Sequence, residues 1–302
     1  MEKWMENNYF CLIDKPINRI LLMGTHNSGI NKIMYDIPIP NKNYNSLRKI
    51  AKYVKPLRDY INKWTINQTL SIDEQLNIGV RAFDIKISYF NDKFYVTHTF
   101  VSQELEPILQ TFNTFLDSHT KEVLILQIAY DYEYADTTQL YTEQLINLFV
   151  KYFGTKIYEK QFEIPTYGNM LFQDKRIIFI HRDIYNYFNP IIWNKNCLSY
   201  EWFNVNDIDG FEQKMNLSLS NIRNQCYKFN YVQFILTPTV GNIKKDLFNP
   251  FYYNGLKLMA NQLKNSLLKK MIDNEDFDKM SGIYVDHIDN DTAKYIIYLN
   301  HL

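Results

Sequence analysis

The chain has little that would tie it to a disulfide scaffold, a polyanion or a bilayer core. Its 302 residues hold three cysteines, Cys11, Cys197 and Cys226. An odd and widely scattered set makes no disulfide framework and no metal-ligand spacing. Net charge is missing too: Lys+Arg and Asp+Glu are 33 each, so charge alone draws in no nucleic acid. No apolar run approaches the ~20 residues of a spanning helix. The opening stretch MEKWMENNYFCLIDKPINRILL lacks a basic segment, an apolar core and a small-residue cleavage site. The expectation is a soluble cytoplasmic protein with no transmembrane segment. No linker and no repeat of fixed period interrupts the chain. With 46% apolar and aromatic residues, residues 1–302 are expected to form a single domain with a large core.

What is present is alternation. Short apolar runs at 19–24 (RILLMG), 80–90 (VRAFDIKISYF), 93–98 (KFYVTH), 122–130 (EVLILQIAY), 176–181 (RIIFIH), 231–236 (YVQFIL) and 282–288 (GIYVDHI) read as strands. Helical patterns lie between them, such as LEPILQTFNTFLDSH and ANQLKNSLLKKMI. Strand–helix alternation over this length predicts an α/β fold with a parallel sheet, closed as a somewhat distorted TIM-type (β/α) barrel. In LSIDEQLNIGVRAFD, Ser71 and Glu74 form a capping box and Gly79 ends the helix, which fixes where the strand from Val80 begins.

The stretch LLMGTHNSGINK runs an apolar strand into His26, Asn27 and Ser28. Asn-Ser-Gly is ordinary turn chemistry, but barrel enzymes also place reactive groups at strand ends. In the strand from Val80, alternation puts Val80, Ala82, Asp84 and Lys86 on one face and Phe83, Ile85 and Ile87 on the other. Asp84 and Lys86 are then either a polar pair in a barrel mouth or a solvated ion pair on an edge strand. KFYVTH ends on His98, and parallel-barrel logic brings its end to the same mouth as His26. Two such histidines suit an acid–base pair. Asp286 ends the last strand, beside the first in a closed barrel, from where it would orient His26; an Asp-rich helix N-cap is the other reading.

Taken in order, LLMGTHNS, TINQTLSIDEQLNIGVRAFDIKI, KFYVTH, KEVLILQI, QFILTP and IYVDHI resemble the X domain of phosphatidylinositol-specific phospholipase C, of the single-domain type. The resemblance implies that His26 is the general base, His98 the general acid and Asp286 the carboxylate behind the base, with Asp84 at an acidic position common to the family. Calcium-dependent members use an Asn and three carboxylates. Asn27 and Asp84 match that set, but Lys86 and Ala129 stand where the others belong, so no calcium or other metal cofactor is expected. Metal-independent bacterial members carry an Arg at the Lys86 position. A lysine is a point charge without the bidentate grip of arginine. Asn27 also replaces an Asp that helps keep the general acid protonated.

The implied reaction is cleavage of a phosphatidylinositol-type lipid to diacylglycerol and inositol 1,2-cyclic phosphate. Lys86 and Asn27 would stabilise the phosphate, and Arg182, just after RIIFIH, would bind the headgroup. The same resemblance leaves open a lipid-binding pseudoenzyme or a phosphodiesterase for another glycerophosphodiester. Aromatic stretches at 185–196 and 247–255, with Trp193 in the first, are expected to touch a membrane surface from a peripheral, monomeric protein. His119 and His301 are expected to lie on helices away from the mouth.

Overall fold

A computed structural model describes residues 1–39, 42–131, 139–161, 163–184, 189–222, 228–249, 255–271 and 279–300. Its strands are β1 (Leu22–Thr25), β2 (Ala82–Phe90), β3 (Lys93–His98), β4 (Phe100–Glu104), β5 (Leu124–Tyr130), β6 (Ile177–His181), β7 (Ile192–Asn194), β8 (Leu198–Glu201), β9 (Phe229–Phe234) and β10 (Gly282–Val285). Eight of them pair in parallel in the order β7-β6-β5-β2-β1-β10-β9-β8. The ring is left open between β7 and β8, which a turn of 3-10 helix at Lys195–Cys197 joins. This is the (β/α) barrel expected, nearly closed.

Alternation along the strands divides the apolar residues into two layers. Phe83, Ile85 and Ile87 of β2 pack outward, in one cluster with Leu126 and Ile128 of β5 and with Ile108, Leu109 and Phe112 of the helix Leu105–Ser118. Leu22, Ala82, Ile125, Ile178, Tyr231 and Tyr284 point inward. Val80 belongs to the outer cluster, against the expectation that it shares the face of Ala82, because β2 begins only at Ala82. Inside the barrel the rings of Tyr231 and Tyr284 stack 4.9 Å apart. Two glycines make room for them. A Cβ on Gly24 would stand 2.6 Å from the Tyr284 ring, and one on Gly282 would stand 2.5 Å from that of Tyr231.

The helix Ile72–Asn77 carries the capping box expected of Ser71 and Glu74, and Gly79 follows it at φ 102°. The run KFYVTH departs from expectation. It is antiparallel to β2, with Ile87 opposite Val96 and Phe90 opposite Lys93. Asn91 and Asp92, both at positive φ, make the tight hairpin turn that Asn and Asp accept most readily. β2 thus overshoots the barrel and β3 returns along it, so His98 reaches the mouth from outside the ring. Trp193 is the other departure: it is 1% exposed, and its indole N–H donates to the Tyr158 carbonyl at 3.1 Å. A β7 strand, not an exposed loop, holds it. Residues 185–188 and 250–254 of the two aromatic stretches lie outside the described residues, as does His301. Among the described residues no helix is long and apolar enough to cross a membrane.

Candidate active site

The turn after β1 is fixed from several sides. Ser28 Oγ donates to the Thr25 carbonyl at 2.7 Å, and its N–H donates to the Asp84 carbonyl at 2.7 Å. The Gln68 amide donates to the carbonyls of His26 and Val285 at 2.8 and 2.9 Å. Asn27 takes φ 45° within this turn, a conformation asparagine tolerates better than most residues. His26 is thereby aimed at the C-terminal mouth of the barrel, and the turn serves the side chain it presents.

His26 Nδ1 lies 2.8 Å from Asp286 Oδ1, and the same oxygen accepts from the Asn67 amide at 3.0 Å. An ionised Asp286 keeps a proton on Nδ1 and leaves Nε2 bare, the tautomer a base needs. The His98 ring lies across from it, with centroids 6.4 Å apart and planes at 70°. The chain turns immediately after His98 through Thr99 at φ 64°, whose N–H donates to Asp131 at 3.1 Å.

Lys86 Nζ stands 3.5 Å from His98 Nδ1. Burial pushes the His98 imidazole well below its ordinary range, and the charges of Lys86 and His26 add to this. Burial also lowers the Lys86 ammonium. Asp84 opposes that shift, Arg182 reinforces it, and the net direction is down. Burial, not any failure of Asp84 to favour the charged form, decides that direction, and Asp84 is itself held by two other groups. Its Oδ1 pairs with Arg182 Nη2 at 2.7 Å, and its Oδ2 accepts from the Tyr200 hydroxyl at 3.0 Å. The Arg182 guanidinium also lies over the Tyr200 ring, 4.4 Å from its centroid. Burial raises the Asp84 carboxyl, but Arg182, then His26 and Lys86, outweigh it and hold the group below its usual range.

A cavity of about 490 Å³ opens over these groups. His26, His98, Lys86, Arg182 and Asp286 line it, with Ala129 in register beside Lys86. Trp64, Trp202, Leu236, Pro238 and Leu256 supply apolar wall. Asp84 and Asn27 are buried behind the lining. Asn27 donates to Asn67 at 3.2 Å, so the role expected of it on the phosphate has no support in its position. Asn67, Tyr200 and Gln233 line the cavity without having been singled out from the sequence. Asn67 lies in a quoted segment, TINQTL, but an asparagine carries no spacing signal. Tyr200 lies on β8, whose four residues are too few to show alternation. His119 lies outside the cavity, stacked on Phe115 at 4.2 Å and 2.8 Å from Glu2.

The calcium used by some members of this fold does not fit here. The carboxylate that would serve it, Asp84, is committed to an arginine and a tyrosine, and an ammonium stands beside it. Among the described residues no three His, Cys, Asp or Glu side chains group as a metal site.

Fold and cavity define a (β/α) barrel with two histidines facing each other at its C-terminal mouth. Residues 60–208 match the family model described as PI-PLC X 1. The chain is 24% identical over 291 residues to a PI-PLC X-box domain-containing protein of Dictyostelium discoideum, covering 85% of this chain and 37% of that longer protein. It is 26% identical over 243 residues to the variant-surface-glycoprotein phospholipase C of Trypanosoma brucei brucei, covering 73% of this chain and 65% of that one. The phosphatidylinositol-specific phospholipase C from Listeria monocytogenes superposes with a TM-score of 0.65 at 15% identity, over 99% of this chain and 98% of the other. The chain is thus similar in sequence to the PI-PLC X-domain proteins and similar in fold to the Listeria enzyme.

Proposed function

We propose that the chain cleaves the phosphodiester of phosphatidylinositol-type lipids, forming inositol 1,2-cyclic phosphate and releasing diacylglycerol. The observation that carries this is the facing pair of imidazoles, one of them backed by Asp286. His26 Nε2 takes the proton of the inositol 2-hydroxyl as that oxygen attacks phosphorus, and Asp286 stabilises the imidazolium that results. His98, on the opposite side, returns a proton to the departing glycerol oxygen. Lys86 supplies positive charge to the phosphate in a partly desolvated site, where such charge acts most strongly. Arg182, held in place by Asp84 and Tyr200, offers the headgroup N–H donors. No metal enters the scheme, and the lipid is met at a membrane surface by a peripheral protein. The names of the trypanosome and Listeria relatives support the lipid class.

One observation favours a second reading, a lipid-binding protein without turnover: His98, the acid of the scheme, is strongly biased toward its neutral form. Phosphorus NMR of the protein with phosphatidylinositol micelles in chelator separates the two. The expected result is growth of the cyclic phosphate signal, reduced at least ~10²-fold in His26→Ala and in His98→Ala. Micelle binding without conversion overturns the enzymatic reading, and recovery only on adding calcium overturns the metal-free site.

A further inference from the structure

Lys86 contacts an imidazole where an ion pair would be expected. Among the described residues its one hydrogen-bond contact is His98 Nδ1, 3.5 Å from Nζ. The carboxylates that face it are engaged by other groups: Asp84 by Arg182 and Tyr200, Asp286 by His26 and Asn67, and Asp131 by the Thr99 N–H. An ammonium has donors only, so a hydrogen bond at this contact requires a bare Nδ1 with the ring's own proton on Nε2. A contact of 3.5 Å is long for a formed hydrogen bond, but catalytic contacts in unliganded enzymes commonly tighten when substrate binds.

Resting on the activity proposed above, we infer that Lys86 and His98 act as one acid, with Lys86 supplying the proton that His98 delivers. A neutral imidazole surrenders its Nε2 proton readily only if Nδ1 gains one in the same step. As the bond from phosphorus to the glycerol oxygen breaks, the Nε2–H bond breaks and its proton goes to that oxygen. An Nδ1–H bond forms with a proton from Nζ, and Lys86 is left as a neutral amine. His26 meanwhile becomes an imidazolium, so the net charge of the protein is unchanged, and a phosphodiester anion becomes a cyclic phosphodiester anion. Between turnovers Nδ1 hands its proton back to Lys86, Nε2 takes a proton from solvent, and His26 releases its own to solvent. The downward directions for both Lys86 and His98 suit such sharing, because each holds its proton less tightly than usual. Asn27 is consistent with this arrangement: its amide bonds to Asn67, and it does not line the cavity.

The arrangement makes arginine a poor substitute at this position, because arginine keeps the charge but does not give up a proton. The test compares Lys86→Arg with the unaltered protein on two substrates. One is phosphatidylinositol, and the other is its analogue with sulfur in place of the bridging glycerol oxygen, which leaves as a thiolate and needs no proton. Lys86→Arg is expected to lose ~10²- to 10⁴-fold on the oxygen substrate, comparable to His98→Ala, and less than ~10-fold on the sulfur one. Retained or improved turnover of the oxygen substrate by Lys86→Arg overturns the inference, and so does an equal loss on both substrates. If the unaltered protein cleaves neither substrate, the underlying activity falls and the relay falls with it. Should the variant fail to fold, nitrogen NMR of the unaltered protein decides. His98 Nδ1 is expected to be the unprotonated ring nitrogen at neutral pH, and a protonated Nδ1 overturns the relay.

Discussion

His181 closes β6 as a fully buried imidazole, ring to ring with Tyr130 at 4.6 Å. Its Nδ1 accepts from the Asp183 N–H at 3.3 Å, and its Nε2 has no partner among the described residues. Burial, helped by the neighbouring Arg182 charge, pushes its pKa down from 6.5 to about 3. The folded state therefore keeps this ring neutral where the unfolded chain protonates it. Below about pH 6.5 the unfolded state binds more protons, so stability falls as pH falls, and the loss is complete near pH 3. At ~1.36 kcal/mol per pH unit the whole span amounts to roughly 5 kcal/mol; by pH 5 about 2 kcal/mol of it is gone. The perturbation is His181→Leu, which removes the titrating ring and a buried donor together. Urea unfolding of both proteins at pH 7.5 and pH 5.0 gives the comparison. His98 and His287, also lowered by burial, titrate in both proteins and cancel. The unaltered protein is expected to lose about 2 kcal/mol more than the variant between the two pH values. A difference below ~0.5 kcal/mol would mean that the ring is hydrated or paired well enough to hold a proton, and the reasoning fails.

Two other substitutions test the frame of the barrel. Trp193→Ala removes a buried indole edge-on to Phe229 and the N–H it donates to the Tyr158 carbonyl; about 3–5 kcal/mol of stability should go with it. Vesicle binding by the folded fraction should be unchanged, measured by co-sedimentation below the unfolding transition. Asp84→Asn leaves the Arg182 guanidinium without its buried counter-charge and should cost about 3–5 kcal/mol in chemical denaturation. A loss below ~1 kcal/mol would show that Arg182 finds another partner in the cavity.

The runs that announced themselves in the sequence were those buried on both faces or fixed by a strong cap. EVLILQIAY became β5, buried along its whole length, and the Ser71–Glu74 box set the approach to β2. What failed depended on partners that no local pattern records. KFYVTH alternates as well as any barrel strand, and only the positive φ at Asn91 and Asp92 turns it back antiparallel. Trp193 looked like an interfacial aromatic because Asn and Pro surround it, but a strand only three residues long sufficed to bury it. At the site the histidines were legible because strand ends are where a barrel collects reactive groups. Arg182 was legible only as a cation after a strand, since Asp84 and Tyr200, which hold it, lie on β2 and β8, far apart in sequence and brought together only by ring closure.

The same ring closure divides the site into a rigid half and a sparse half. On the base side, β1 and β10 are direct neighbours, in register from Leu22 with Gly282 to Thr25 with Val285. His26 and Asp286 therefore continue two hydrogen-bonded strands, and Asn67 and Gln68 tie both turns from a third segment. Such a base is preorganised, because its tautomer and aim are set before substrate arrives. The acid side has no comparable frame. His98 ends an antiparallel strand outside the barrel ring, after a register shift between Val96 and Thr97, and its one polar side-chain contact among the described residues is the Lys86 ammonium. The His98–Lys86 half is accordingly where the rate of this site should be limited. A substrate whose leaving group needs no proton relieves that half alone, so under the proposed reaction it is expected to be turned over faster than the oxygen ester by the unaltered protein, with the benefit of His26 and Asp286 undiminished. A sulfur-bridged substrate no faster than the oxygen one would place the limiting step elsewhere, in attack by the 2-hydroxyl or in product release.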